Sequence, residues 1–96
     1  RDVASSVAKS LYSALARGVY NISGPKSISN LELAKTFIRL LNSSSTILTG
    51  ITEDPEEGVI WEVSSAKAAQ DFSFVPQFEI SQSIEDYLRY EDLYNQ

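Results

Sequence analysis

The chain of 96 residues contains no cysteine and no histidine. Without cysteine there can be no disulfide and no thiolate metal site, which fits a reducing, cytoplasmic compartment. Without histidine the commonest general base and the commonest metal ligand are missing, and Ser-His and Cys-His nucleophiles are excluded. Basic residues are few: eight Lys and Arg against thirteen Asp and Glu leave a net charge of −5. The eight are spread from Arg1 to Arg89 and form no patch, so nucleic acid is not an expected partner. No apolar run approaches the roughly 20 residues that a membrane-crossing helix needs, and no membrane partner is expected. The four glycines, Gly18, Gly24, Gly50 and Gly58, stand too far apart for the closely spaced turn that lets a backbone approach a dinucleotide pyrophosphate. The opening Arg1-Asp2-Val3 has neither a starting methionine nor the layout of a signal peptide, and reads as the interior of a longer chain.

What is present suits one small globular unit spanning residues 1–96. Apolar residues make up 43% and charged residues 22%, ordinary for such a domain. A chain this short buries only about 60–65% of the surface that its unfolded form exposes, so its core must be modest. Asp2 to about Arg17 is predicted helical, because Val3, Val7, Leu11 and Leu15 recur every four residues and alanines widen the stripe. Gly18 is the expected terminator. Val19–Ile22, β-branched and aromatic between turn residues, is predicted as a strand. Ser29-Asn30-Leu31-Glu32 is a capping box that opens a helix to about Leu41, with Leu31, Ala34, Phe37, Ile38 and Leu41 expected to be buried. Strands are predicted over 46–51 and 59–63, with an acidic loop between them and Trp61 in the core. A short helix should start at Ser64 or Ser65 and reach Asp71 or Phe72. A last helix should run from Ile80 to about Tyr94, with Tyr87 and Tyr94 on its packed face. The expected fold class is therefore mixed α/β, with about four helices and three short strands.

Three stretches together resemble the extended short-chain dehydrogenase/reductase family, which includes nucleotide-sugar epimerases, dehydratases and sugar reductases. Arg1-Asp2-Val3-Ala4 looks like the opening of a late family helix. Gly18-Val19-Tyr20-Asn21-Ile22-Ser23-Gly24, followed by Ile28-Ser29-Asn30-Leu31-Glu32-Leu33-Ala34, looks like a family strand, its glycine turn and a capped helix. Ser65-Ala66-Lys67-Ala68 and Phe72-Ser73-Phe74-Val75-Pro76 are similar to a family helix and the turn that follows it.

The resemblance implies the C-terminal, substrate-side portion of a Rossmann-type enzyme. Residues 1–24 would complete the cofactor-domain sheet, and the rest would close over a nucleotide sugar. It implies NAD or NADP for the parent enzyme and an epimerase reaction first, with a dehydratase or deoxysugar reductase as the alternative. By gap-free alignment, Glu57 falls where the family contacts the substrate ribose, and Asn21 ends the strand where the family cleft opens. Asp54 stands where the family usually has an arginine on the diphosphate, which reverses the charge. Ser23 and Ser73 stand where the family often has glycine.

No catalytic residue is expected within the chain. The family pairs a tyrosine with a lysine four residues later; position i+4 is Ala16 after Tyr12, Gly24 after Tyr20, Glu91 after Tyr87 and Tyr94 after Tyr90. Glu53, Asp54, Glu56 and Glu57 offer hard oxygen ligands, but their spacing matches no calcium loop, and a solvated acidic loop is expected. A reading of another class is a non-catalytic binding or regulatory domain derived from such an enzyme. A fragment would leave open the surface that faced its missing cofactor domain, so self-association or pairing with that domain is expected.

Overall fold

Ser29 and Glu32 begin one of the helices of the computed structural model, which describes residues 1–95. The Glu32 amide donates to Ser29 Oγ at 3.1 Å and the Ser29 amide to Glu32 Oε2 at 3.4 Å, so two helix-end donors are satisfied reciprocally. There are four helices among the described residues: α1 (Asp2–Leu11), α2 (Asn30–Leu40), α3 (Ala66–Phe72) and α4 (Ile80–Tyr94). The helix α2 packs on α4, and α1 on α3.

No strand forms among the described residues, so the mixed α/β class is corrected to an all-helical chain with long irregular connections. A strand exists only through ladder hydrogen bonds to a neighbour, and residues 19–22, 46–51 and 59–63 have none. Hydroxyl groups occupy part of that role. The Ser23 amide donates to Ser65 Oγ at 2.8 Å, Ser23 Oγ donates to the Val63 carbonyl at 2.9 Å, and Ser27 Oγ to the Trp61 carbonyl at 2.8 Å. The segments following residues 22 and 60 are thus tied side by side through serines rather than through backbone pairs. Ser23 thus has a structural task here.

The first helix also ends earlier than its periodicity suggests, at Leu11 rather than near Arg17. Past it, Ser13 Oγ donates to the Asp71 carbonyl at 2.8 Å and accepts from the Leu15 amide at 3.2 Å. A serine that offers the backbone a local alternative competes with helix propagation. Gly18 does adopt positive φ, at 80°, but as a turn whose missing Cβ leaves room for Lys67 Nζ, 3.3 Å from where that carbon would sit.

The helix α3 ends at Ser73, which takes left-handed φ and ψ of 56° and 33°. Glycine is the usual residue at such a position, so the serine carries a conformational cost there. The Ser73 amide donates to the Ala69 carbonyl at 3.0 Å and the Phe74 amide to the Ala68 carbonyl at 3.3 Å. This reversal sends Phe74 back under its own helix. Ala68, Phe72 and Phe74 form the core cluster, with Ala16, Tyr20 and Ile22 packed against it. Phe74 is the largest fully buried side chain, 1% exposed. Ile84 on α4 is buried apart from that cluster.

The rest of the apolar inventory lies open. Trp61, expected in the core, is 71% exposed, and Tyr87, Tyr90 and Tyr94 are exposed as well. The stripe of α2 is at best half-buried. The chain is a plate of 49 × 42 × 16 Å with a radius of gyration of 16.9 Å, where a compact domain of this length would have about 12–13 Å. Its thickness leaves room for little more than one layer of helices, since a helix with its side chains is about 10–12 Å across.

Candidate functional site

An open cleft of about 860 Å³ lies between the start of α2 and the irregular segment 49–61. That volume is within the range of small-molecule sites, about 300–1,000 Å³. Ile28, Leu31 and Trp61 supply apolar wall, while Asp54, Glu56 and Glu57 supply carboxylates. No lysine or arginine lines it. A carboxylate cannot donate to a phosphate and repels it, so the cleft by itself disfavours a diphosphate.

The two residues singled out by the resemblance are not brought together. Glu57 lines the cleft; Asn21 is exposed and lies outside its lining. Asp54, the charge-reversing residue, is committed to its own turn. Its Oδ1 accepts from the Glu56 amide at 2.9 Å, and its carbonyl accepts from the Glu57 amide at 3.1 Å. Side-chain acceptance two residues on, with Pro55 presetting φ, is the usual reason for Asp-Pro at a turn. Among the described residues no group of three or more acidic side chains is placed to hold a metal ion. The acidic loop is thus a turn-forming rim of the cleft.

A second cluster was not legible from spacing. Lys67 on α3 lies over the Tyr20 ring, 4.1 Å from its centroid, and donates to the Arg17 and Val19 carbonyls at 2.9 and 3.0 Å. The Tyr20 hydroxyl donates to Asp71 Oδ2 at 2.5 Å and accepts from the Arg17 amide at 2.7 Å. Phe72 meets the Tyr20 ring edge-on at 4.9 Å. Tyrosine and lysine are the residue types of the family's catalytic pair, yet their arrangement opposes that chemistry. The ammonium sits on the ring face and spends its donors on carbonyls. Desolvation and the hydrogen bond to Asp71 push the Tyr20 phenol above its ordinary value of 10.0, with the Asp71 charge adding to the rise and the Arg17 amide opposing it. A catalytic tyrosine needs the reverse shift. The cluster is a clasp between the 16–22 segment and α3.

The clasp has a pH consequence. An acid whose pKa is raised on folding favours the folded state while protonated. Its contribution is present below the unfolded value of 10.0 and is lost as pH rises through the folded value above it. Urea midpoints of the wild type are therefore expected to fall more steeply above pH 10.0 than those of Tyr20→Phe. Parallel profiles for the two proteins would show that folding does not hold the phenol protonated.

Comparisons with protein-family models, with curated proteins and with solved structures find no match to this chain. Among the described residues no helix is long and apolar enough to cross a membrane.

Proposed function

We propose that this chain is the substrate-side lobe of an NAD(P)-dependent nucleotide-sugar epimerase and carries no catalytic or cofactor-binding residue of its own. The observation that carries this reading is the joint order of its three family-like stretches, which together run from Arg1 to Pro76. A cleft of suitable size with Glu57 on its wall supports it. In this reading Glu57 hydrogen-bonds a ribose hydroxyl, Trp61 offers an aromatic face to the nucleotide, and a companion domain supplies the dinucleotide, the hydride chemistry and the positive charge that the diphosphate requires. A dehydratase or deoxysugar reductase would use the same lobe in the same way.

The carboxylates of the cleft favour a second reading, a non-catalytic binding module derived from such an enzyme. The coding sequence upstream of Arg1 separates the two. A glycine-rich strand–turn–helix together with Tyr-x-x-x-Lys is the outcome expected for the enzyme; a frame with neither leaves the binding module. The 96-residue chain is expected to show no NAD or NADP binding by calorimetry and no turnover of a nucleotide sugar. Micromolar dinucleotide affinity for the isolated chain would overturn the first reading.

A further inference from the structure

The basic residues are scattered along the sequence, but three of them meet in space. Lys26, Lys35 and Arg39 border one pocket of about 380 Å³ between α2 and the start of α4. The chain has a net charge of −5, so three cations on one concavity run against its overall balance. Lys26 comes from the bend that precedes α2. Lys35 and Arg39 stand four residues apart, on one face of that helix. Ile28 and Ile80 give the pocket apolar wall.

Two carboxylates, Glu32 and Glu79, line the same pocket and leave it an excess of one positive charge. Both are already engaged. Glu32 Oε2 accepts from the Ser29 amide at 3.4 Å, closing the capping box, and Glu79 Oε2 lies 3.5 Å from Lys26 Nζ. Among the described residues the ion pairs are Arg1–Asp86 and Lys26–Glu79, so Lys35 and Arg39 take part in none. Like charges at their spacing repel one another along a helix, and an anion lodged between them removes that repulsion. The Lys26–Glu79 pair is 64% and 53% exposed on its two sides. Pairs of that kind contribute little, so little holds Lys26 back from a stronger acceptor.

We propose that this pocket binds a phosphate group, free or carried by a small molecule. The Arg39 guanidinium presents a planar fork that matches two phosphate oxygens, and the two lysines add point charges to the same dianion. A phosphate group occupies the space of only a few waters, each about 30 Å³ in the liquid, so room remains for an organic group against Ile28 and Ile80. Three cations on an acidic chain do not make the extended basic stripe that a polynucleotide needs. The inference stands on the charge and geometry of this pocket alone and does not depend on the nucleotide-sugar reading.

Amide nitrogen–proton spectra of the 96-residue chain, titrated at constant ionic strength with inorganic phosphate and separately with a hexose phosphate, test this. Saturable shifts are expected at residues 26–39 and 79–81, with a Kd of about 1 mM or tighter. Lys35→Gln and Arg39→Gln are each expected to weaken binding about tenfold, by loss of a charged donor. Arg89→Gln, outside the pocket, should leave the affinity unchanged. Glu79→Gln, which releases Lys26, is expected to tighten binding several-fold, a gain that a misfolded variant could not give. If a variant fails to fold, the map of shifts in the wild type still decides. Tighter binding of the hexose phosphate supports the proposal with a phosphate monoester as ligand; equal affinities support it with the phosphate ion itself. The absence of saturable shifts up to about 10 mM of either probe overturns it. So do shifts that map elsewhere, or a Lys35→Gln/Arg39→Gln double variant that binds as the wild type does.

Discussion

Phe74→Ala is expected to cost about 3–5 kcal/mol, the usual penalty for truncating a buried phenylalanine, and to leave the chain largely unfolded. A domain near this length has a net stability of roughly 5–15 kcal/mol, and this one falls toward the lower end because so little of it is buried. Its buried hydrophobic residues are Ala68, Phe72, Phe74 and Ile84. Phe74 fills the space under α3 that the reversal at Ser73 creates. Urea unfolding followed by far-ultraviolet circular dichroism measures the effect, with Phe74→Leu as the milder control. An unchanged midpoint for Phe74→Ala would mean that the cluster around α3 does not hold the chain together.

Asp2→Ala is expected to cost about 1–3 kcal/mol, the range for hydrogen bonds to a charged group after allowance for partial exposure. The Asp2 carboxylate accepts from the Gln77 amide at 3.0 and 3.2 Å and from the Phe78 amide at 3.1 Å. It ties the first turn of α1 to the segment that leads into α4. Little apolar contact backs this tie, since the apolar face of α1 points away. The loss should appear as a melting temperature lower by several degrees, at about 4–8 °C per kcal/mol for a domain of this size, and as faster amide exchange along α1. Asp2→Asn retains an acceptor and should fall between the two. Equal melting temperatures for wild type and Asp2→Ala would show that α1 is held by other contacts.

Helix beginnings were the most legible part of the fold, because a capping box is a local device. Ser29 and Glu32 are three residues apart and need nothing else. The bounds of α4, and those of α3 to within a residue, follow in the same way from periodicity and flanking turn residues. The strands do not form because Val19–Ile22, Thr46–Ile51 and Val59–Val63 have the composition of strands without neighbours to pair with. Strand propensity describes fit to a half-buried pleated surface; where the chain supplies no such surface, the preference has nothing to act on. The helix α1 stops short of its apolar period for a related reason. Its apolar period runs on to Leu15, but Ser13 finds the Asp71 carbonyl, a partner far along the chain.

The candidate site was legible in outline only. Glu57 was singled out through its place in a family-like segment and does line the cleft, whereas Asn21 does not. Asp54 stood out as a reversed charge, and its hydrogen bonds give that residue a turn-forming role. The clasp of Tyr20, Lys67 and Asp71 had no signature in spacing, because its members come from segments distant in sequence.

Residue content alone determined that the chain has no histidine or thiol chemistry and no dinucleotide-binding glycine turn, and that four stretches are helical, because each depends on which residues are present or on neighbours a few positions away. Tertiary structure decided which face of α1 looks outward, that the expected strands stay unpaired, and that a lysine covers the Tyr20 ring. Those outcomes depend on which distant groups compete for the same donors, acceptors and apolar surface, and that competition is resolved only when the chain is folded.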